Sequence, residues 1–94
     1  MKVTIPRLGG VAQSLSGRDK GRLYIVVKAE GNRLALVDGE YRTLSNPKYK
    51  NCRHVRLMPV FFPEIAERAG EGKDENSEIR AALKRLKKGA EINF

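Results

Sequence analysis

The 94-residue chain is long enough for one small hydrophobic core and too short for two ordinary folded domains. Its 19 Lys and Arg against 11 Asp and Glu give a formal charge of +8, which favours polyanions or anionic surfaces as partners. No apolar run approaches the ~20 residues of a membrane-spanning helix, the single Cys52 excludes an internal disulfide, and Pro6 and Arg7 interrupt the apolar start in a way that makes a poor secretory leader. The expectation is a soluble, reduced, cytoplasmic protein, monomeric when free and without a membrane partner. Residues 1–60 hold 12 basic and 4 acidic side chains, whereas residues 61–94 hold 7 of each, so the excess (12 − 4 = +8) places the partner-facing part in the first two thirds.

In chain order, Leu8 to Gln13 is a weak strand containing Gly9-Gly10, and Ser14 to Gly21 is a loop by composition. Leu23-Tyr24-Ile25-Val26-Val27 is the strongest strand signal, rich in aromatic and β-branched residues. Gly31-Asn32 and Asp38-Gly39 are two-residue hairpin signals on either side of Leu34 to Val37, so a meander is expected whose third strand is Tyr41 to Leu44. With Gly31-Asn32 as the loop, Glu30 faces Arg33, Ala29 faces Leu34 and Val27 faces Leu36. That register puts Ile25, Val27, Ala29, Leu34, Leu36, Tyr41 and Thr43 on the core face, and Tyr24, Val26, Lys28, Ala35, Val37, Glu40 and Arg42 on the other. Ser45 to Asn51 is a loop, and Cys52 to Leu57 alternates as a closing strand. Five short strands around one apolar face would leave costly open edges, so closure into a small barrel is expected.

Beyond Met58, Pro59 and Pro63 frame Val60-Phe61-Phe62, a hydrophobic tether, and a short helix is predicted from Pro63 to Ala69, stopped by Gly70. A longer amphipathic helix is predicted from Ser77 to Lys88, with Asn76 as N-cap and Gly89 as the stop. Glu78 in its first turn and Arg85, Lys87 and Lys88 in its last complement the helix dipole. Ile79, Ala82, Leu83, Leu86 and Ala90 form a narrow apolar stripe that needs cover, expected near Val26 and Val37. The fold class is mainly β with an α appendage: a five-stranded barrel over residues 1–58, followed over residues 59–94 by a short helix and a longer C-terminal amphipathic helix packed on it.

Gly17-Arg18-Asp19-Lys20-Gly21, followed at once by Leu23-Tyr24-Ile25-Val26-Val27 and later by Leu36-Val37-Asp38-Gly39, resembles the KOW motif of the archaeal and eukaryotic L-fourteen-e family of large-subunit ribosomal proteins. Asn51-Cys52-Arg53-His54-Val55 resembles that family's closing strand. The resemblance spans roughly residues 8–58 and extends to small bacterial KOW-containing proteins with a helical tail. It implies an SH3-like barrel that binds ribosomal or other structured RNA. The neutral C-terminal third departs from the long basic extension of the ribosomal members, which leaves a transient factor as compatible as a permanent ribosomal component.

The residues offer two candidate RNA contacts. Arg18, Lys20 and Arg22 lie on or beside a glycine-bounded turn whose amides and cations suit phosphate oxygens, with Asp19 expected to bond back to turn amides. Residues 42–56 carry Arg42, Lys48, Lys50, Arg53 and Arg56 without an acid, interleaved with Tyr49 and His54. There Tyr49 would stack an unpaired base while Lys48 and Lys50 hold phosphates, and Lys28 would extend the surface. One Cys and one His are too few for a structural zinc site, and Cys52 and His54 side by side on a strand lack the third group of a nucleophilic triad. No metal and no cofactor is expected.

The expectation is therefore a non-enzymatic RNA-binding protein of the translation apparatus, with ribosomal RNA as partner and ribosomal proteins as neighbours. A protein-interaction module of the transcription or translation machinery is the alternative. A basic accessory domain without a specific ligand would instead bind any polyanion.

Overall fold

The computed structural model describes residues 5–89, so the predicted stripe position Ala90 lies outside the described residues. Five strands, β1 (Gly10–Ser14), β2 (Leu23–Glu30), β3 (Arg33–Val37), β4 (Lys48–Asn51) and β5 (Val55–Phe61), form one antiparallel sheet in the order β4-β3-β2-β1-β5. A single 3-10 turn, Cys52–His54, joins the two edge strands. Helices α1 (Pro63–Gly70) and α2 (Asn76–Gly89) follow, and among the described residues no helix is long and apolar enough to cross a membrane. The ladder keeps two edges, β4 and β5, so the closure expected from edge protection is not made by hydrogen bonds between them.

The β2–β3 hairpin turns at Gly31-Asn32, and its first pairs, Glu30 with Arg33 and Ala29 with Leu34, match the sequence register. The register then shifts between Val26 and Lys28, so Leu36 faces Val26 rather than Val27. This bulge, one extra residue in β2, re-aims everything toward the strand's start. Tyr24, Val26, Leu34 and Leu36 thereby join Ala12 and Val55 in one buried cluster. Ile25 and Val37 point the opposite way and join Val11, Met58, Ile65, Ile79, Ala82 and Leu83 in a second. The expectation of one core face and one polar face is thus corrected: both faces are buried at this end of the sheet. Ala29 and Tyr41, assigned to the core, are exposed.

The helices supply the second layer. Pro63 stands in the first turn of α1, where a missing N–H costs nothing, and α1 buries only Ile65. In α2 the stripe Ile79, Ala82 and Leu83 is buried and Leu86 packs beside it. It covers Val37 as expected, whereas Val26 lies in the other cluster. Val60 and Phe62 pack on the helix-side core, and β5 runs on to Phe61, past the expected limit of the barrel at 58. At Gly9, with φ +87°, an added Cβ would stand 2.6 Å from the Phe62 carbonyl oxygen; the bare backbone lets β1 and the β5–α1 junction cross at contact distance.

The predicted strand Tyr41–Leu44 is absent. Asp38 Oδ1 accepts hydrogen bonds from the Glu40 and Arg42 amides, and the Arg42 carbonyl accepts from those of Asp38 and Gly39, which closes the chain into a compact turn. Gly39 (φ +83°) lies so close to α2 that an added Cβ would collide with the Asn76 carbonyl oxygen. Asn76 does not cap its own helix as expected: its Oδ1 accepts from the Leu44 amide at 2.9 Å and ties α2 to this turn. The fourth strand comes instead from Lys48–Asn51, in the segment expected to be a loop.

Candidate nucleic-acid interface

The loop between β1 and β2 is held from inside by a polar network. The Asp19 carboxylate accepts from Tyr24 Oη at 2.6 Å and Ser14 Oγ at 2.8 Å, and pairs with Lys50 Nζ at 3.1 Å. Lys50 also donates to Ser14 Oγ and to the Ser16 carbonyl at 2.6 Å. The Lys50 and Asp19 side chains are only 10% and 9% exposed. Burial by itself would raise the Asp19 carboxyl, but the hydrogen bonds from Tyr24, Ser14 and Lys50 and the Lys50 charge outweigh it and hold the group well below the usual carboxylate range. Burial, together with the hydrogen bond to Asp19 and its charge, pushes the Tyr24 phenol well above its ordinary value.

This network changes the roles read from sequence. Asp19 bonds to side chains rather than to turn amides. The amides of Lys20, Gly21 and Arg22 already donate to the carbonyls of Gly17, Ser14 and Asp19, so these three are not open to phosphate oxygens. Lys50 stands opposite Leu34 on β4, turned toward the loop's underside, and does not project as a phosphate contact.

Alternation also separates Tyr49 from its lysine neighbours. Lys48 and Lys50 pair with Leu36 and Leu34, whereas Tyr49 pairs with Ala35 and lies on the other face of the strand. Tyr49 is 51% exposed, and Arg33 places its guanidinium 5.1 Å from the ring centroid. Lys28, Glu30, Arg33, Ala35 and Tyr49 line a shallow cup of about 230 Å³, in which Lys28 is paired with Glu30 at 2.8 Å. Arg33, a contributor to this cup, reads in the sequence only as the hairpin partner of Glu30.

The remaining cations fall into two settings. The Leu15 amide donates to the His54 carbonyl at 2.9 Å, and Gln13, paired with Arg56 across β1 and β5, reaches the Gly21 carbonyl with its side chain. These bonds bring the loop bearing Arg18, Lys20 and Arg22 against the 3-10 turn and β5, which carry Arg53, His54 and Arg56. All six are exposed, and none forms an ion pair among the described residues. Arg42 and Lys48 are half-buried, Arg42 in the turn after β3 and Lys48 opposite Leu36.

Cys52 and His54 lie on the 3-10 turn rather than on the expected strand, Cys52 half-buried against the Tyr24 cluster and His54 exposed. Among the described residues no three His, Cys, Asp or Glu side chains gather closely enough to hold a metal ion. Asp38 is committed to backbone amides beside the exposed Glu40. Compared with known proteins, the chain matches no family model and no curated protein.

Proposed function

We propose that this chain is a non-enzymatic RNA-binding protein that engages ribosomal or other structured RNA of the translation apparatus through a KOW-type, SH3-like barrel. The strand order, with its edge strands linked by one 3-10 turn around a buried cluster of Ala12, Tyr24, Val26, Leu34, Leu36 and Val55, supports a sheet curled upon itself in that manner. The observation that carries the reading is the junction of the β1–β2 loop with the 3-10 turn and β5. Two segments about thirty residues apart meet there, and each brings exposed cations without acidic partners.

Arg18, Lys20, Arg22, Arg53 and Arg56 hold phosphates, and His54 sits among them. Phosphate contacts of this kind position an RNA and dominate its affinity. Tyr49, with Arg33 against its ring, offers a separate base-stacking platform on the opposite face of β4.

Purification from cell extract with and without ribonuclease, repeated for the Arg18→Glu/Lys20→Glu variant, tests the proposal. Ribosomal RNA is expected with the parent protein, lost with the variant, and any accompanying proteins are expected to leave on nuclease treatment. Protein partners that persist after nuclease would contradict it and favour a protein-interaction module.

A further inference from the structure

Charge in the C-terminal third averages to zero in the sequence but is segregated along it. Residues 61–75 carry Glu64, Glu67, Glu71, Asp74 and Glu75 against Arg68 and Lys73, whereas α2 carries Arg80, Lys84, Arg85, Lys87 and Lys88 against Glu78. Two of those acids are paired locally, Glu75 with Arg68 and Glu71 with Lys73. The α2 cations have no such partners among the described residues.

Three of them, Arg80, Lys84 and Lys87, share one side of the helix at i, i+4 and i+7. Together with Arg22 and the turn after β3 they line a groove of about 510 Å³, within the ~300–1,000 Å³ of sites that take one small ligand or nucleotide-sized group. Its four cations face two acids, Asp38 and Glu40 (4 − 2 = +2), and Asp38 is already occupied by backbone amides. The groove is built rather than incidental. Gly39 lies in backbone contact with α2, Asn76 accepts from the Leu44 amide, and Arg80 Nη1 donates to the Gly39 carbonyl at 3.2 Å.

Tyr41 stands at its rim, 66% exposed, with the Arg22 guanidinium 4.7 Å from the ring centroid. A large aromatic left in water, backed by an arginine and beside a row of lysines, is the pairing that stacks a base and holds its phosphates. Arg22 is also the last cation of the β1–β2 loop, so the groove continues the surface described above.

We infer that the groove between α2 and the turn after β3 binds an unpaired nucleotide segment of the RNA, with Tyr41 and Arg22 stacking a base and Arg80, Lys84 and Lys87 holding the phosphates. The inference rests on the RNA-binding reading and adds to it a second, single-strand-selective contact. An acidic peptide would use the same cations but gain nothing from the aromatic ring.

The test is equilibrium binding of the full chain to oligouridine and to a blunt RNA duplex at several salt concentrations. It compares the parent with Lys84→Gln/Lys87→Gln, Tyr41→Ala, Tyr41→Phe and Arg18→Glu/Lys20→Glu. Tyr41→Ala is expected to weaken oligouridine binding roughly 5- to 100-fold, with the duplex little affected and Tyr41→Phe close to the parent. Lys84→Gln/Lys87→Gln is expected to flatten the log–log salt slope for oligouridine by roughly 1.4. If Arg18→Glu/Lys20→Glu impairs binding while the groove variants match the parent, the groove assignment is overturned and the RNA-binding reading stands. If the parent binds neither RNA, both fall. If polyglutamate displaces oligouridine as well as RNA does and Tyr41→Ala changes nothing, the groove is a peptide site and the inference is overturned.

Discussion

Lys50 on β4 and Lys84 on α2 are equivalent in a charge count, yet the fold uses them in opposite ways. Lys50 is turned inward onto Asp19, Ser14 and the Ser16 carbonyl and holds the β1–β2 loop in place. Lys84 stays in water beside Tyr41 and Arg22. The difference lies in what surrounds each. Strand alternation aims Lys50 to the same side as Leu34, where a buried carboxylate waits. The helix side bearing Lys84 meets a turn with two acids, of which Asp38 already serves backbone amides and Glu40 stays exposed, in no ion pair among the described residues. The fold therefore divides the cations of a sequence between those turned inward, which shape a loop, and those left in water, which stay open to a partner.

The contrast is broken most severely at Lys50. Lys50→Ala leaves the Asp19 carboxylate buried without its cation and is expected to destabilise the fold by about 3–5 kcal/mol in chemical denaturation, with Asp19→Asn/Lys50→Met recovering part of the loss. By contrast, Lys84→Gln should leave the denaturation midpoint unchanged. Equal effects of the two lysine substitutions on stability would remove the distinction.

Tyr24→Phe deletes a hydrogen bond to an ionised acceptor and is expected to cost about 1.5–3 kcal/mol. It also gives the network a pH signature. The Asp19 carboxyl lies below its ordinary 3.8 in the folded state, so its contribution is complete at neutral pH and is lost as pH falls below that value toward the lowered one. The Tyr24 phenol lies above its ordinary 10.0, so its contribution is complete below that pH and is lost as pH rises past it. Unfolding free energies across pH should show both limbs in the parent, no alkaline limb from this residue in Tyr24→Phe, and a weaker acid limb in Asp19→Asn.

Gly39→Ala sharpens the comparison from the helix side. Its Cβ would meet the Asn76 carbonyl and its φ of +83° suits glycine, so a loss of at least ~1–3 kcal/mol is expected. Displacement of α2 should weaken oligouridine binding along with stability. The smallest effect belongs to Lys28→Ala. Lys28 is already paired with Glu30 near the β2–β3 turn, so its loss should lower RNA affinity in a titration far less than Arg18→Glu/Lys20→Glu does.

Local chemistry made the hairpin at Gly31-Asn32, both helices and the loop bearing Arg18, Lys20 and Arg22 legible in the sequence. Turn residues, a proline at a helix start and an apolar period act over a few positions, so one strand of text is enough to reveal them. The bulge at Val27 was not legible, because it follows from packing on two sheet faces at once. Nor was the loss of the Tyr41–Leu44 strand, which depends on Asn76 and Arg80 some thirty-five residues away. Lys48-Tyr49-Lys50-Asn51 reads as a loop because its polarity hides a strand whose inward lysine is satisfied by Asp19. The α2 groove was concealed by averaging the charge of α2 with that of the acidic stretch before it.

The salt dependence of RNA binding by the parent protein tests the account's central claim most directly. Five phosphates held by Arg18, Lys20, Arg22, Arg53 and Arg56 require a log–log slope of roughly −3.5 or steeper on a single strand. A slope near zero would contradict it.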